Sequence, residues 1–394
     1  MKKATHQATK EHNTTLVLKT IYHNDQISRA DIARMTSLTR TTVSEIVTDL
    51  IALGLVKETG FGPATIGKPP IHVDFDAGAR QLICVDLGED EFHGALVNLR
   101  GDVLQRHSLP LGDRKGEAAL QLAHRLVEGL WAQVTAPILG IGIGTPGPVD
   151  PDKGIIRQAV NRDWTNLDLK EIFGARFNVP IHIANDSHVA ALAECAYGGH
   201  GRTPSLVLIK VGEGIGSGIV LGGNLHTGEG FSAGEVGHLC VARGGLPCTC
   251  GNHGCLETVA STPSLLRLVR AQAERAPETP FGRAMAAKGP SLELLREFNE
   301  SGDPLARAIV HDLGTHLGVV AASLAGVLNI HKIVLSGMPT LFGEPLLEAM
   351  RMEIRARILP EMARETQVCF STIGSEIVIQ GACALVLRKE LNLP

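Results

Sequence analysis

The feature that most restricts what this chain can fold into is a cysteine-rich loop. Cys248, Cys250 and Cys255 fall within eight positions, separated by Thr249 and by Gly251-Asn252-His253-Gly254, whose glycines let the loop turn tightly. Three thiols this close can offer sulfur to one ion, and His238, ten residues earlier, provides the fourth donor of a Cys3His zinc site. His253 is a rival for that fourth position. A closed four-ligand shell leaves no place for an activated water, so a zinc held this way is structural. The chain's eight cysteines are too sparse for a disulfide scaffold and fit a reducing, cytoplasmic setting.

At roughly 100 to 200 residues per domain, a chain of 394 residues accommodates two or three domains. Hydrophobic residues make up 44% and charged residues 20%, the balance of a folded globular protein. Gly318 to Ile330, the longest nearly apolar stretch, is too short to span a bilayer. The start, Met1-Lys2-Lys3, leads into polar residues, so neither export nor membrane insertion is expected. Charge is unevenly placed: residues 1–60 carry eight Lys/Arg against six acids, the remainder 29 against 35. A mildly basic N-terminal segment on an acidic body suits an anion-binding module, although motifs must decide its partner.

Leu16, Val17, Leu18 and Ile21 mark the buried face of a first helix over 13–22. Ser28, with Asp31 three residues on, forms a weak capping box and opens a short helix through Met35. Thr39 caps a third helix, with Val43, Ile46, Val47, Leu50 and Ile51 at helical spacing and Gly54 at its end. Its start presents Arg40, Thr41, Thr42 and Ser44, side chains able to bond phosphates and base edges. Strands over 55–59 and 71–75 would flank a wing with Lys68 near its tip. Together these read as a winged helix-turn-helix over 1–76 whose third helix enters the major groove, and the plainer alternative is a small protein-interaction module.

Beyond residue 78, short apolar strands (81–87, 92–98, 138–144, 205–211) alternate with helical stretches (117–134, 167–173), the pattern of an α/β body with mixed sheets. Cys84-Val85-Asp86-Leu87-Gly88 and Leu208-Ile209-Lys210-Val211-Gly212 each open a strand, turn and strand unit about 125 residues apart, suggesting two related halves around a cleft.

Gly234-Glu235-Val236-Gly237-His238 followed by the Cys-x-Cys-Gly-x-x-Gly-Cys-x-Glu run resembles the signature of the ROK family of bacterial sugar kinases and sugar-responsive repressors. The segments 142–150, Asn185-Asp186 before a helix ending near Glu194, and Gly214-Ile215-Gly216-Ser217-Gly218 resemble the same family in the same order. The resemblance covers roughly residues 80–390. It implies a two-lobed, actin-like (ribonuclease-H-like) body with a sugar in the interlobe cleft: lobe 1 over 77–195, completed by a C-terminal helix over 375–394, and lobe 2 over 196–374 with the zinc loop and the oligomer interface. It makes Asn185, Asp186, Glu235, His238 and Glu257 the sugar ligands, Asp186 standing where the kinases keep their base. Alone, Asn185-Asp186 has a helix cap as its plainer alternative, and the two glutamates read equally well as surface carboxylates.

The nucleotide side departs from the kinase pattern. The kinases carry Asp-x-Gly-Gly-Thr to cradle phosphate, whereas this chain has Asp86-Leu87-Gly88-Glu89-Asp90, and Glu213 stands where the family usually places Thr. Those acids would repel a polyphosphate by on the order of several kcal/mol, although Asp86 retains a carboxylate able to meet Mg2+. The expectation is a cytoplasmic, sugar-responsive transcriptional regulator, most simply a repressor of carbohydrate genes. It would act as a homodimer or homotetramer on operator DNA, with xylose among the candidate effectors and a phosphotransferase-system protein as a further partner. The alternative is an ATP-dependent sugar kinase carrying a DNA-binding module.

Overall fold

A computed structural model describes residues 6–61, 69–200 and 205–393. The N-terminal part comprises α1 (His6–Tyr22), β1 (Ile27–Ser28), α2 (Arg29–Thr36), α3 (Arg40–Ala52), β2 (Val56–Phe61) and β3 (Ile71–Phe75), with strand order β1-β3-β2. The first helix begins at His6, seven residues earlier than its apolar spacing predicts, because its opening turns are polar and exposed. Ser28 caps α2 as expected: its Oγ accepts from the Asp31 amide at 3.2 Å and donates to Asp31 Oδ2 at 2.7 Å. Val17 and Ile21 of α1 and Val43, Ile46, Val47 and Leu50 of α3 are buried against one another. Lys68 lies outside the described residues.

The first lobe contains β4 (Gln81–Asp86), β5 (Glu91–Asn98), β6 (Val103–Pro110), α4 (Gly116–Trp131), β7 (Ile138–Thr145), β8 (Val149–Asp150), β9 (Ile155–Ala159), β10 (Trp164–Asp168), α5 (Leu169–Phe177), β11 (Ile181–Asn185) and α6 (Asp186–Tyr197). Leu167 and Asp168 end a strand rather than opening the helix, since Asp168 is the cap of α5. The second lobe contains β12 (Leu206–Val211), β13 (Ile215–Leu221), β14 (Asn224–His226), α7 (Glu257–Ala260), α8 (Thr262–Arg275), α9 (Pro280–Lys288), α10 (Leu292–Ser301), α11 (Pro304–Leu328), β15 (Lys332–Gly337), α12 (Gly343–Arg357), α13 (Pro360–Glu365) and β16 (Gln367–Phe370). The chain ends in α14 (Ile377–Leu391).

The two main sheets share one topology. Their orders are β6-β5-β4-β7-β11 and β14-β13-β12-β15-β16, and in each the lobe's first strand is central. An antiparallel meander lies on one side of it and two parallel strands on the other. The similar segments at Cys84 and Leu208 are therefore equivalent strands of two related halves.

The last helix of each half packs on the sheet of the other. α6 lies along β12 and β13, whereas α14 returns to β4 and β7, and the two helices cross one another. The crossing is lined by Val189, Ala190, Ala193, Val378, Ala384 and Leu385. It is so close that a β-carbon at Gly381 would come 2.0 Å from the carbonyl oxygen of Val189. The N-terminal part shares its apolar core with β4, β5 and α14, through Leu82, Cys84, Ala95, Val97, Ala382, Cys383 and Val386. Arg100, in the turn between β5 and β6, fixes this junction. It donates to the Tyr22 carbonyl at 2.7 Å and to Asp25 at 3.1 Å, and stands 4.6 Å over the Tyr22 ring.

α11 is long and apolar enough to cross a membrane by length and composition, beginning well before the stretch the sequence singled out. In the fold it is a core helix, burying Ile309, Leu313, Leu317, Val320 and Ala321 in the second lobe.

Gly381→Ala should destabilise the protein by about 2 kcal/mol, although alanine is the better helix former by about 1 kcal/mol, because the added methyl overpacks the crossing. Gly174→Ala in α5, where a β-carbon meets no atom within 4 Å, should be neutral or slightly stabilising. Urea unfolding of both variants checks the pair.

Candidate functional site

The expected ligand residues begin where β11 hands over to α6. Asn185 caps the helix, its Oδ1 accepting from the amides of Ser187 at 2.9 Å and His188 at 3.3 Å, while Nδ2 donates to the Gly147 carbonyl at 3.1 Å. The cap and the ligand readings of Asn185 thus share one side chain, which retains one free N–H. Asp186 accepts from the Ser187 amide at 2.8 Å through Oδ1 and from Lys210 Nζ at 2.7 Å through Oδ2. His188, kept neutral by burial, bonds the Ala233 carbonyl at 2.8 Å and so ties α6 to the loop before Glu235.

Gly234 takes φ 96° and packs so tightly that a β-carbon would sit 2.0 Å from the Ser217 carbonyl oxygen. Its own carbonyl accepts from the Ser217 amide at 2.7 Å, which fixes the backbone of Glu235. Burial raises the Glu235 carboxyl above its usual range; His238 draws it down, and Asp186 and Glu257 push it up. Glu257 opens α7, its Oε2 accepting from the Ile215 amide at 3.1 Å. Residues from β11, α6, the 234–238 turn and α7 therefore meet within electrostatic reach of one another.

His238 connects this cleft to the cysteine loop. Its Nδ1 lies 3.6 Å from Cys248 Sγ, Cys250 Sγ lies 3.7 Å from Cys255 Sγ, and the donor atoms of the four residues all lie within 4.8 Å of one another. Tetrahedral zinc with Zn–S near 2.3 Å and Zn–N near 2.05 Å requires edges of about 3.8 Å and 3.6 Å, so the donors fit a single metal ion. The Asn252 amide draws the Cys250 thiol down to about 7, whereas burial pushes Cys255 up to about 12. Among the described residues His253 is outside this group; it pairs through its backbone with Pro247.

The loops after β4 and β12 face each other with acids. Burial raises Asp86 to about 6 and Glu89 to about 7, while Lys210 pulls both down. Glu213 is raised by burial and by Asp90. Arg162, buried with Nε unpartnered, donates to the Gly88 carbonyl and stands 5.8 Å from the Phe92 ring centroid. Spacing pointed to neither Lys210 nor Arg162: one lies inside an apolar strand, the other in an unremarked turn. A lysine interrupting a buried strand is the signal that could have found the first.

On α3, Arg40, Thr41 and Ser44 are exposed, and no ion pair involves Arg40 among the described residues. Thr42 is half-buried and spends its hydroxyl on Thr39 Oγ at 2.8 Å, so it serves the helix start first.

A pH dependence follows from Glu89. Its folded-state pKa of about 7 lies above the ordinary 4.5, so its contribution to stability is present in full below about pH 4.5 and is lost as the pH rises through 7. Glu89→Gln should thus match the wild type near pH 4.5 and exceed it by roughly 1–2 kcal/mol near pH 8, read from denaturation curves at the two pH values.

Comparison with known proteins agrees with this architecture. The ROK family matches residues 82–389 and the MarR family residues 12–61. The chain is 30% identical to the xylose repressor of Caldicellulosiruptor bescii over 99% of its length and 98% of the relative's. It is also 30% identical to a glucokinase of Halalkalibacterium halodurans, over 80% of this chain and 97% of that one. A crystal structure of a ROK family transcriptional regulator, a homologue of the E. coli Mlc protein, superposes with a TM-score of 0.85 at 27% identity, covering 98% of this chain and 99% of that one. With duplicated sheets and a family match across nearly the whole body, the chain belongs to the ROK family.

Proposed function

We propose that this protein is a sugar-responsive transcriptional repressor. The observation that carries the reading is the union, in one chain, of an exposed Arg and hydroxyl face on α3 with a cleft into which Asn185, Asp186, Glu235, His238 and Glu257 converge. Similarity to a xylose repressor along nearly the full length supports it. The five side chains offer carboxylates and amides from both lobes, the donors and acceptors that sugar hydroxyls need in fixed directions. The working division is residues 1–76 for DNA, 77–195 with 375–394 for the first lobe and 196–374 for the second.

In this reading His238, Cys248, Cys250 and Cys255 hold one structural Zn2+, and the metal braces the loop that carries Glu235 and Glu257. The remaining ring nitrogen of His238 donates to a sugar hydroxyl. A cytoplasmic homodimer or homotetramer binds a palindromic operator through paired α3 helices, with Lys68 and Arg40 on phosphates and Thr41, Thr42 and Ser44 toward base edges. Sugar binding favours a closed arrangement of the lobes that releases DNA, by its difference in affinity for the two arrangements. A phosphotransferase-system protein is a further partner of this class of regulator.

The second reading, a sugar kinase, is favoured by the glucokinase similarity. Against it stand the acids Glu89, Asp90 and Glu213 on loops that would have to cradle phosphate. A coupled ADP-release assay over hexoses and pentoses separates the two: sugar-dependent turnover would establish the kinase.

Fluorescence anisotropy on duplexes selected from random DNA by the protein itself, with D-xylose, D-glucose and N-acetylglucosamine added in turn, tests the repressor reading. Absence of any sequence-selective, sugar-modulated binding would remove it. Arg40→Ala should weaken binding to the selected duplex about tenfold and leave sugar affinity unchanged, a loss of about 1.4 kcal/mol. Cys250→Ser should lose its zinc by elemental analysis, and sugar affinity should fall with it.

A further inference from the structure

Lys210 reaches Asp186 from β12, while Arg162 acts on Asp86 and Glu89 from the first lobe. The Lys210 Nζ lies 2.7 Å from Asp186 Oδ2, with the two side chains 32% and 19% exposed. Asp86 and Glu89 act on the same ammonium, and the three carboxylates together hold it charged against the cost of burial. Asp86 and Asp186 also repel each other. Carboxylates that act on one ammonium in half-buried surroundings are stabilised in their charged form by it, and lose that support when it is removed. Here the protein supplies the charge itself, covalently and from the opposite lobe.

We propose that Lys210 is the internal counter-cation of the cleft: a positioning residue that fixes Asp186 as a hydrogen-bond acceptor and denies the Asp86, Glu89 and Asp186 carboxylates to divalent metal. Its ammonium replaces the ion, so recognition at Asp186 is independent of Mg2+ or Mn2+. The bond from β12 to the start of α6 also makes the pair a strut between the lobes, near the His188 bond to Ala233. The role of Lys210 toward a sugar rests on the function proposed above; its role toward metal does not.

The test uses the full-length, zinc-loaded protein and Mn2+ alone, followed by loss of the free-ion electron paramagnetic resonance signal. Wild type should take up no Mn2+ in the cleft. Lys210→Met should gain one Mn2+ per chain, and the gain should vanish when Asp86→Asn is added. Lys210→Arg should behave as wild type, and Lys210→Gln provides the same readout if the methionine variant does not fold. No gain in either neutral variant, or a gain that survives Asp86→Asn, overturns the proposal. In a second arm, D-xylose and D-glucose titrations of Lys210→Met should show at least a tenfold loss of affinity without Mn2+ and recovery with it. A sugar affinity unchanged by Lys210→Met would equally overturn the positioning role. If wild type binds neither sugar, the repressor reading is at fault, and the Mn2+ arm still decides on Lys210.

Discussion

The crossing of α6 and α14 is the constraint on which the rest of the molecule depends. Each of these helices belongs by sequence to one half and packs on the sheet of the other, so neither half closes its core without its partner. At its closest point the contact admits only glycine, because a β-carbon at Gly381 would meet the backbone of Val189. The same α14 covers Leu82 and Cys84 and extends the core into the N-terminal part. The DNA-facing part is consequently seated on the body, not tethered to it.

The cleft between the halves is an electrostatic compromise. Asp86, Glu89 and Glu235 are carboxylates whose burial disfavours their charge; Lys210, Arg162 and His93 draw Asp86 down, Lys210 and Arg162 Glu89, and His238 Glu235. Groups kept under such tension respond strongly to whatever enters. A neutral polyol adds hydrogen bonds without adding charge, whereas an anionic phosphate adds to the repulsion.

Much of this was legible in the sequence, for identifiable reasons. The capping box at Ser28 and the apolar spacing of α3 are local signals, and local hydrogen bonds realise both. The equivalence of the strands at Cys84 and Leu208 was visible because each carries an apolar run, broken once by Asp86 or Lys210, that ends at glycine. The cysteine spacing pointed to a metal loop, but the choice between His238 and His253 needed geometry, since both lie within reach along the chain. The return of a C-terminal helix to the first lobe followed from the family resemblance, and α14 does lie on β4 and β7; Lys210 and the packing of α6 on the second sheet were missed, because a charge inside an apolar run reads as an interruption and no local pattern tells a helix which of two similar sheets it will cover. The start of α1 was set too late because an exposed helical turn carries no apolar period.

One consequence lies in the length of α6. Its first residue, Asp186, is held from the second lobe by Lys210, and its last, Tyr197, bonds Cys383 at 3.6 Å and rests against the turn at Gly101, beside the Arg100 that grips the end of α1. Twelve helical residues make a rod of about 18 Å. A tilt of about 5° at its cleft end displaces the far end by about 1.6 Å, the scale on which packed helices at interfaces re-register. A tilt of that size would be felt at the turn that carries Gly101 and Arg100, the same turn that holds the end of α1.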